Sequence, residues 1–206
     1  MASHFDRSPQ RGRASSRSIS MRSEAQAALA ANDDEPAKPL PPPARIQELL
    51  FDAARLGRVD VLPALLIAGA DIEARDPQGY TPLILASYNG QAKSADLLLA
   101  QGASPDAPDA ARGNTALMGV AFKGYGAIAD RLLDAGADPH GTNKAGQTAL
   151  MMAAMFGHDG IVERLLDAGA DPLAVDMAGN SACSVAQGQG NRMMVQRLMR
   201  RMVRQD

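Results

Sequence analysis

The tripeptide Gly-Ala-Asp occurs at 69–71, 136–138 and 169–171, with Gly-Ala-Ser at 102–104, so one mark returns at intervals of 33, 34 and 33 residues. A second mark keeps the same step: Gly79-Tyr80-Thr81-Pro82-Leu83, Gly113-Asn114-Thr115-Ala116-Leu117, Gly146-Gln147-Thr148-Ala149-Leu150 and Gly179-Asn180-Ser181-Ala182-Cys183. A fixed period near 33 leaves few folds open. A unit this short cannot enclose a core of its own, and like units bury their apolar faces only by stacking.

Each unit reads as helix, turn, helix and extended loop. Thr81, Thr115, Thr148 and Ser181 suit the N-cap of a first helix, and Pro82 suits its first position. That helix is short and rich in Ala, and a glycine follows it (Gly57, Gly90, Gly124, Gly157, Gly190) to permit the turn. The second helix carries the larger side chains: Leu65-Leu66, Leu97-Leu98-Leu99, Leu132-Leu133 and Leu165-Leu166. It ends at the glycine of the Gly-Ala mark, which is expected in a left-handed cap. Pro63 falls in the first turn of its helix and is tolerated there. Much of the 46% apolar content is Ala, which implies a thin core of small residues.

These residues resemble the ankyrin repeat. Its pattern D-x-x-G-x-T-P-L-H-x-A-A-x-x-G-H…L-L-x-x-G-A-D appears as Asp76 to Leu83, then Ala86, Gly90, Leu98-Leu99 and Gly102, and most fully from Gly146 to Asp171, where Gly157-His158 also matches. The resemblance implies an all-α solenoid of about five repeats, each a helix-turn-helix with a β-hairpin-like loop. The repeats are expected at about 45–75, 76–108, 109–142, 143–175 and 176–206, within a domain over 44–206 and behind a disordered tail over 1–43. The tail is rich in Arg and Ser from Arg7 to Ser23 and ends in a proline run at 41–43. Such a composition buries too little apolar surface to offset its ordering entropy.

Three departures from the pattern matter. Ile84, Met118, Met151 and Ser184 stand where the family has the histidine that ties repeats by hydrogen bonds, so packing must serve instead. The stretch from Asp109 to Gly113 carries one extra residue, which should distort the third hairpin. Ser94 replaces an apolar residue of a second helix and should weaken that unit. The last helix, Arg192 to Arg204, reads as a cap, with Met194, Val195, Leu198, Met199 and Met202 inward and five Arg outward.

In the family, the two residues before the mid-repeat glycine, together with the hairpin tips, lie on the concave binding face. Here the first set comprises Arg55-Leu56, Tyr88-Asn89, Phe122-Lys123 and Met155-Phe156. The tips supply Gln78, Tyr80, Arg112, Asn114, Lys144 and Gln147. The resemblance thus makes these fourteen residues the candidate partner-binding set. Of the chain's seven aromatic residues, Tyr80, Tyr88, Phe122 and Phe156 fall on this surface. Two readings are open: the rings form a contact patch, or they fill gaps left by small Ala residues.

Charge is unevenly spread. Residues 1–22 carry five Arg against Asp6, net +4, and residues 191–206 carry five Arg against Asp206, also +4. The stretch 23–190, with eleven basic and twenty-one acidic residues, is therefore −10. An acidic body disfavours nucleic acid and, if charge selects partners, favours basic ones. No apolar run approaches the ~18 residues of a membrane span. One cysteine, Cys183, excludes a disulfide framework and is expected to be buried and inert. His4, His140 and His158 lie apart, and His158 is expected to be satisfied by backbone. No nucleophile, metal or cofactor constellation is visible. The expected function is a non-enzymatic, cytoplasmic protein–protein interaction module with no cofactor and another protein as partner. The alternatives are an exported or targeted ankyrin effector addressed by its tail, and a self-associating scaffold or homo-oligomer.

Overall fold

The structure is a computed structural model that describes residues 40–203. The tail expected over 1–43 lies, apart from its last four positions, outside the described residues, and its final residue, Pro43, already opens the first helix. From Pro42 onward the chain forms one compact unit. Among the described residues there are ten helices in five pairs. They are α1 (Pro43–Leu56) with α2 (Leu62–Ile67), α3 (Pro82–Tyr88) with α4 (Ala92–Ala100), α5 (Ala116–Lys123) with α6 (Gly126–Asp134), α7 (Ala149–Phe156) with α8 (Asp159–Asp167), and α9 (Ala182–Gly188) with α10 (Arg192–Met202). The first helix of each pair packs on its own partner and on the first helices of adjacent pairs, and α4, α6 and α8 run alongside one another as an outer layer.

The sequence marks have the roles their chemistry suggests. Thr81, Thr115, Thr148 and Ser181 each accept a hydrogen bond from the backbone N–H three residues on, at 3.2–3.4 Å. Ser184 returns the bond by accepting from the Ser181 N–H at 2.8 Å, completing a capping box. The loops are hairpin-like but not strands: only two isolated antiparallel bridges, Thr142–Thr148 and Val175–Ser181, occur among the described residues.

The core lies between the two helical layers. Leu83, Leu117 and Leu150 of the inner helices meet Leu98, Leu132, Leu165 and Leu198 of the outer ones, all essentially buried. Ala86, Ala121 and Ala154 let the inner helices approach closely. Ile84, Met118 and Met151 are buried in the same core, so packing occupies the place of the family histidine. Ser94 is fully buried and its hydroxyl has no hydrogen-bond partner.

Each loop closes around one polar side chain. Asp76 donates its N–H to the Tyr80 carbonyl, while its Oδ1 accepts from the Gln78 and Tyr80 N–H groups at 3.0 and 2.9 Å. Asn143 and Asp176 repeat this arrangement in the fourth and fifth units. The Asn180 N–H, with help from its side-chain amide and the Ala178 N–H, holds the Asp176 carboxyl below the usual carboxylate range. The extra residue of the third loop is absorbed here. Asp109 pairs with Asn114 instead of the residue four on, and its carboxylate takes three N–H groups, from Arg112, Gly113 and Asn114. Neighbouring loops still join by backbone bonds: Ala110 N–H to Gly79 C=O, Lys144 N–H to Arg112 C=O, and Met177 N–H to Ala145 C=O.

The outer helices carry a feature that the hydrophobic pattern does not reveal. Arginines on α6, α8 and α10 reach back about one repeat to acids of the outer helix before them. Arg131 pairs with Asp96; Arg164 with Asp130 at 2.6 Å and Asp134 at 2.9 Å; Arg197 with Asp159 at 3.0 Å and Glu163 at 3.3 Å; and Arg201 with Glu163 and Asp167.

This row corrects the reading of the last helix. Arg197 and Arg201 do not point outward, because the acids of α8 lie within reach on the inner side. Met194 and Leu198 are buried and Val195 and Met202 are half-buried as expected, but Met199 is exposed, since no further unit stands beside that flank. Cys183 is half-buried rather than buried, because α9 has no following inner helix to cover it.

Candidate aromatic docking face

Tyr88, Phe122 and Phe156 occupy the last turns of α3, α5 and α7 at intervals of 34 residues. Equal register on stacked helices places the rings side by side on the surface, 42%, 41% and 46% exposed. These values show that the rings are not sealed between units. Tyr88 and Phe122 lie nearly parallel with centroids 6.3 Å apart, and Phe122 meets Phe156 edge to face at 4.6 Å. Gly119 lies beneath the row, where a Cβ would touch Tyr88 Cδ2 at 3.4 Å. Phe156 also stacks loosely on His158, whose Nε2 lies 3.2 Å from the Phe122 carbonyl, so His158 is met by backbone. Lys123 holds its ammonium 4.5 Å from the Tyr88 centroid, an exposed cation–π contact.

The other candidates divide in two. Leu56, Gln78, Tyr80 and Arg112 are exposed, and Met155 is half-buried. Asn89 is exposed but turns its amide back to the Leu85 carbonyl at 2.8 Å. Arg55, Asn114, Lys144 and Gln147 are held by bonds within the fold. Arg55 bridges Asp52 and the buried Asp76, so it ties the first unit to the second loop. Lys144 donates to the Ala110 and Ala111 carbonyls at 2.6 and 3.0 Å. Asn143 donates to the side-chain oxygens of both Asn114 and Gln147. Adjacent loops thus lie close enough for these four side chains to make bonds within the fold.

One exposed ring lies outside the set. Tyr125 follows the mid-repeat Gly124, and its ring covers Gly90 of the unit before, at 3.2 Å from where a Cβ would stand. Gln91, His158 and Asn191 cover Gly57, Gly124 and Gly157 in the same way. The signal lies in the repeat register: Arg58, Gln91, Tyr125, His158 and Asn191, the residues after the mid-repeat glycines, are all large enough to reach back.

Among the described residues no group of three or more His, Cys, Asp or Glu side chains is placed to hold a metal ion, and no helix is long and apolar enough to cross a membrane.

Five stacked helical pairs, four of them capped by Thr or Ser behind loops closed on Asp or Asn, with a surface row of rings, define the class: an α-helical repeat array. The family model for ankyrin repeats (3 copies) matches residues 50–143 and 117–206, and the chain belongs to the ankyrin-repeat family. Ankyrin repeats are in general protein–protein interaction modules and typically non-enzymatic.

The ankyrin repeat domain-containing protein SAT10 of Stachybotrys chartarum (strain CBS 109288 / IBT 7711) is 39% identical over 93 residues, which is 45% of this chain and 5% of that protein. An ankyrin repeat-containing protein of Treponema pallidum (strain Nichols) is 37% identical over 91 residues, 44% of this chain and 30% of its own length. The glycerophosphocholine phosphodiesterase gde1 of Schizosaccharomyces pombe (strain 972 / ATCC 24843) is 39% identical over 84 residues, 40% of this chain. That match covers 7% of the phosphodiesterase, so the similarity reaches a small part of the enzyme. The chain thus spans less than a third of the length of each of these relatives.

Proposed function

We propose that this chain is a non-enzymatic docking module that binds a partner protein across the face formed by Tyr88, Phe122 and Phe156, with Tyr80 and Leu56 beside them. The observation that carries the reading is that three large rings from three successive repeats touch one another while staying more than two-fifths exposed. Scattered exposed apolar residues are ordinary, whereas a contiguous row mostly marks an interaction surface. Aromatic residues and Met are enriched at the centres of such surfaces. A cytoplasmic setting belongs to the same proposal and is supported by the single free thiol of Cys183.

The test compares the intact protein with Y88A/F122A/F156A as baits, with bound proteins identified by mass spectrometry. Retained proteins should be lost from the triple variant. Each single change should weaken the measured affinity by ~1–4 kcal/mol, and the loss of stability should stay well under the ~3–5 kcal/mol of truncating a buried Phe. A large fall in melting temperature with unchanged retention would instead make the rings gap-fillers.

A further inference from the structure

The acidic net charge of the body does not extend to the ring face. The inner helices α3, α5, α7 and α9 contain no Asp or Glu, and their one charged residue is Lys123, while on α1 the acids Glu48 and Asp52 are paired with Arg45 and Arg55. The acids of the outer layer, Asp96, Asp130, Asp134, Asp159, Glu163 and Asp167, are engaged by the arginine row on the other side of the repeats. The loop acids Asp76 and Asp109 are buried, 6% and 4% exposed, and accept N–H groups of their own loops. The second oxygen of Asp76 meets Arg55. In the fourth loop the equivalent residue is the neutral Asn143. Lys123 above Tyr88, and Arg112 and Lys144 at the third and fourth loop tips, are exposed and have no carboxylate partner among the described residues.

We infer that the partner segment is acidic: a peptide stretch whose apolar or aromatic side chains seat on Tyr88, Phe122 and Phe156 while flanking Asp or Glu side chains meet Lys123, Arg112 and Lys144. The inference rests on the ring face being the docking site and adds the chemistry of what docks there. It reverses the basic partner that the net charge of residues 23–190 suggests, because interface charge acts through its local arrangement. A single-stranded nucleic acid also combines negative charge with flat rings. However, the Phe122–Phe156 edge-to-face contact at 4.6 Å leaves no slot for a base between them, and three cations are few for tracking a phosphate backbone.

A random peptide library displayed on phage, selected against the full chain, tests both layers. The variants are Y88A/F122A/F156A and K123E/R112E, the latter leaving the Lys144 clamp and the outer arginine row intact. Enriched peptides should carry Asp and Glu around Leu, Phe, Tyr or Trp. A synthetic peptide of the enriched sequence should bind at least about tenfold more weakly to either variant, and more weakly as NaCl is raised. Peptides that are lost with the ring variant but are neutral or basic, and indifferent to K123E/R112E, would overturn the acidic partner and leave the ring face standing. Peptides indifferent to both variants, no enrichment at all, or tighter binding of oligothymidylate than of any peptide would overturn both.

Discussion

At the scale of single residues, the mid-repeat glycines Gly57, Gly90, Gly124 and Gly157 each answer two demands, and they can be separated. Gly124 has φ +84°, a region that costs a side-chain-bearing residue about 1 kcal/mol. A Cβ there would also stand 2.6 Å from the His158 ring, which lies over it from the next unit. Gly136 has φ +88° but open space around the same position. Gly136→Ala should therefore cost about 1 kcal/mol in urea unfolding, and Gly124→Ala clearly more; equal costs would mean that the ring moves aside freely. Ser94 offers the opposite sign. Its buried hydroxyl lacks a partner, so Ser94→Ala should raise stability by about 1 kcal/mol in thermal unfolding. The turn glycines and the misfit of Ser94 were legible in the repeat alone. The cover over Gly124 was not, because it joins residues 34 positions apart that become neighbours only when units stack.

At the scale of elements, the outer helices are coupled by charge as well as by leucine. Arg197 holds α10 to α8 through both Asp159 and Glu163. Arg197→Ala should lower stability by at most about 1 kcal/mol per pair at low salt, and the difference should shrink in concentrated NaCl. A salt-independent loss would assign the effect to the packing of the arginine stem instead. One repeat along, the row that receives these arginines changes sign: Asp159, Glu163 and Asp167 of α8 correspond to Arg192, Gln196 and Arg200 of α10. Hydrophobic periodicity placed Met194 and Leu198 inward correctly. It could not place the arginines, because the side of a terminal helix that meets a neighbour is decided by where the acids of the preceding helix stand. Nor could it place Met199, whose flank no further unit covers.

At the scale of the whole molecule, the core is not uniform. Most buried residues, from α1 to α10, join one continuous cluster. Leu50, Ala53 and Leu62 form a second, smaller one with Leu65, Leu66 and Leu97 packed against it. Its outer helix α2 has six residues and a single buried side chain, Leu62. Stability in a repeat array is local, so hydrogen–deuterium exchange should be fastest in α2 and slowest in α5 to α8. Uniform exchange along the chain would show that the array opens as one body. The stack itself followed from a period of 33, since nothing else hides the apolar faces of units so short. The ring face was legible in part: equal register foretold the row, whereas which polar neighbours were taken up by the loops depended on distances that no spacing encodes.

The rings at 88, 122 and 156 come from three separate units, and the edge-to-face pair is already at close range. A ligand that bridged all three would therefore splint those units at one pitch, and occupancy and stiffness would rise together.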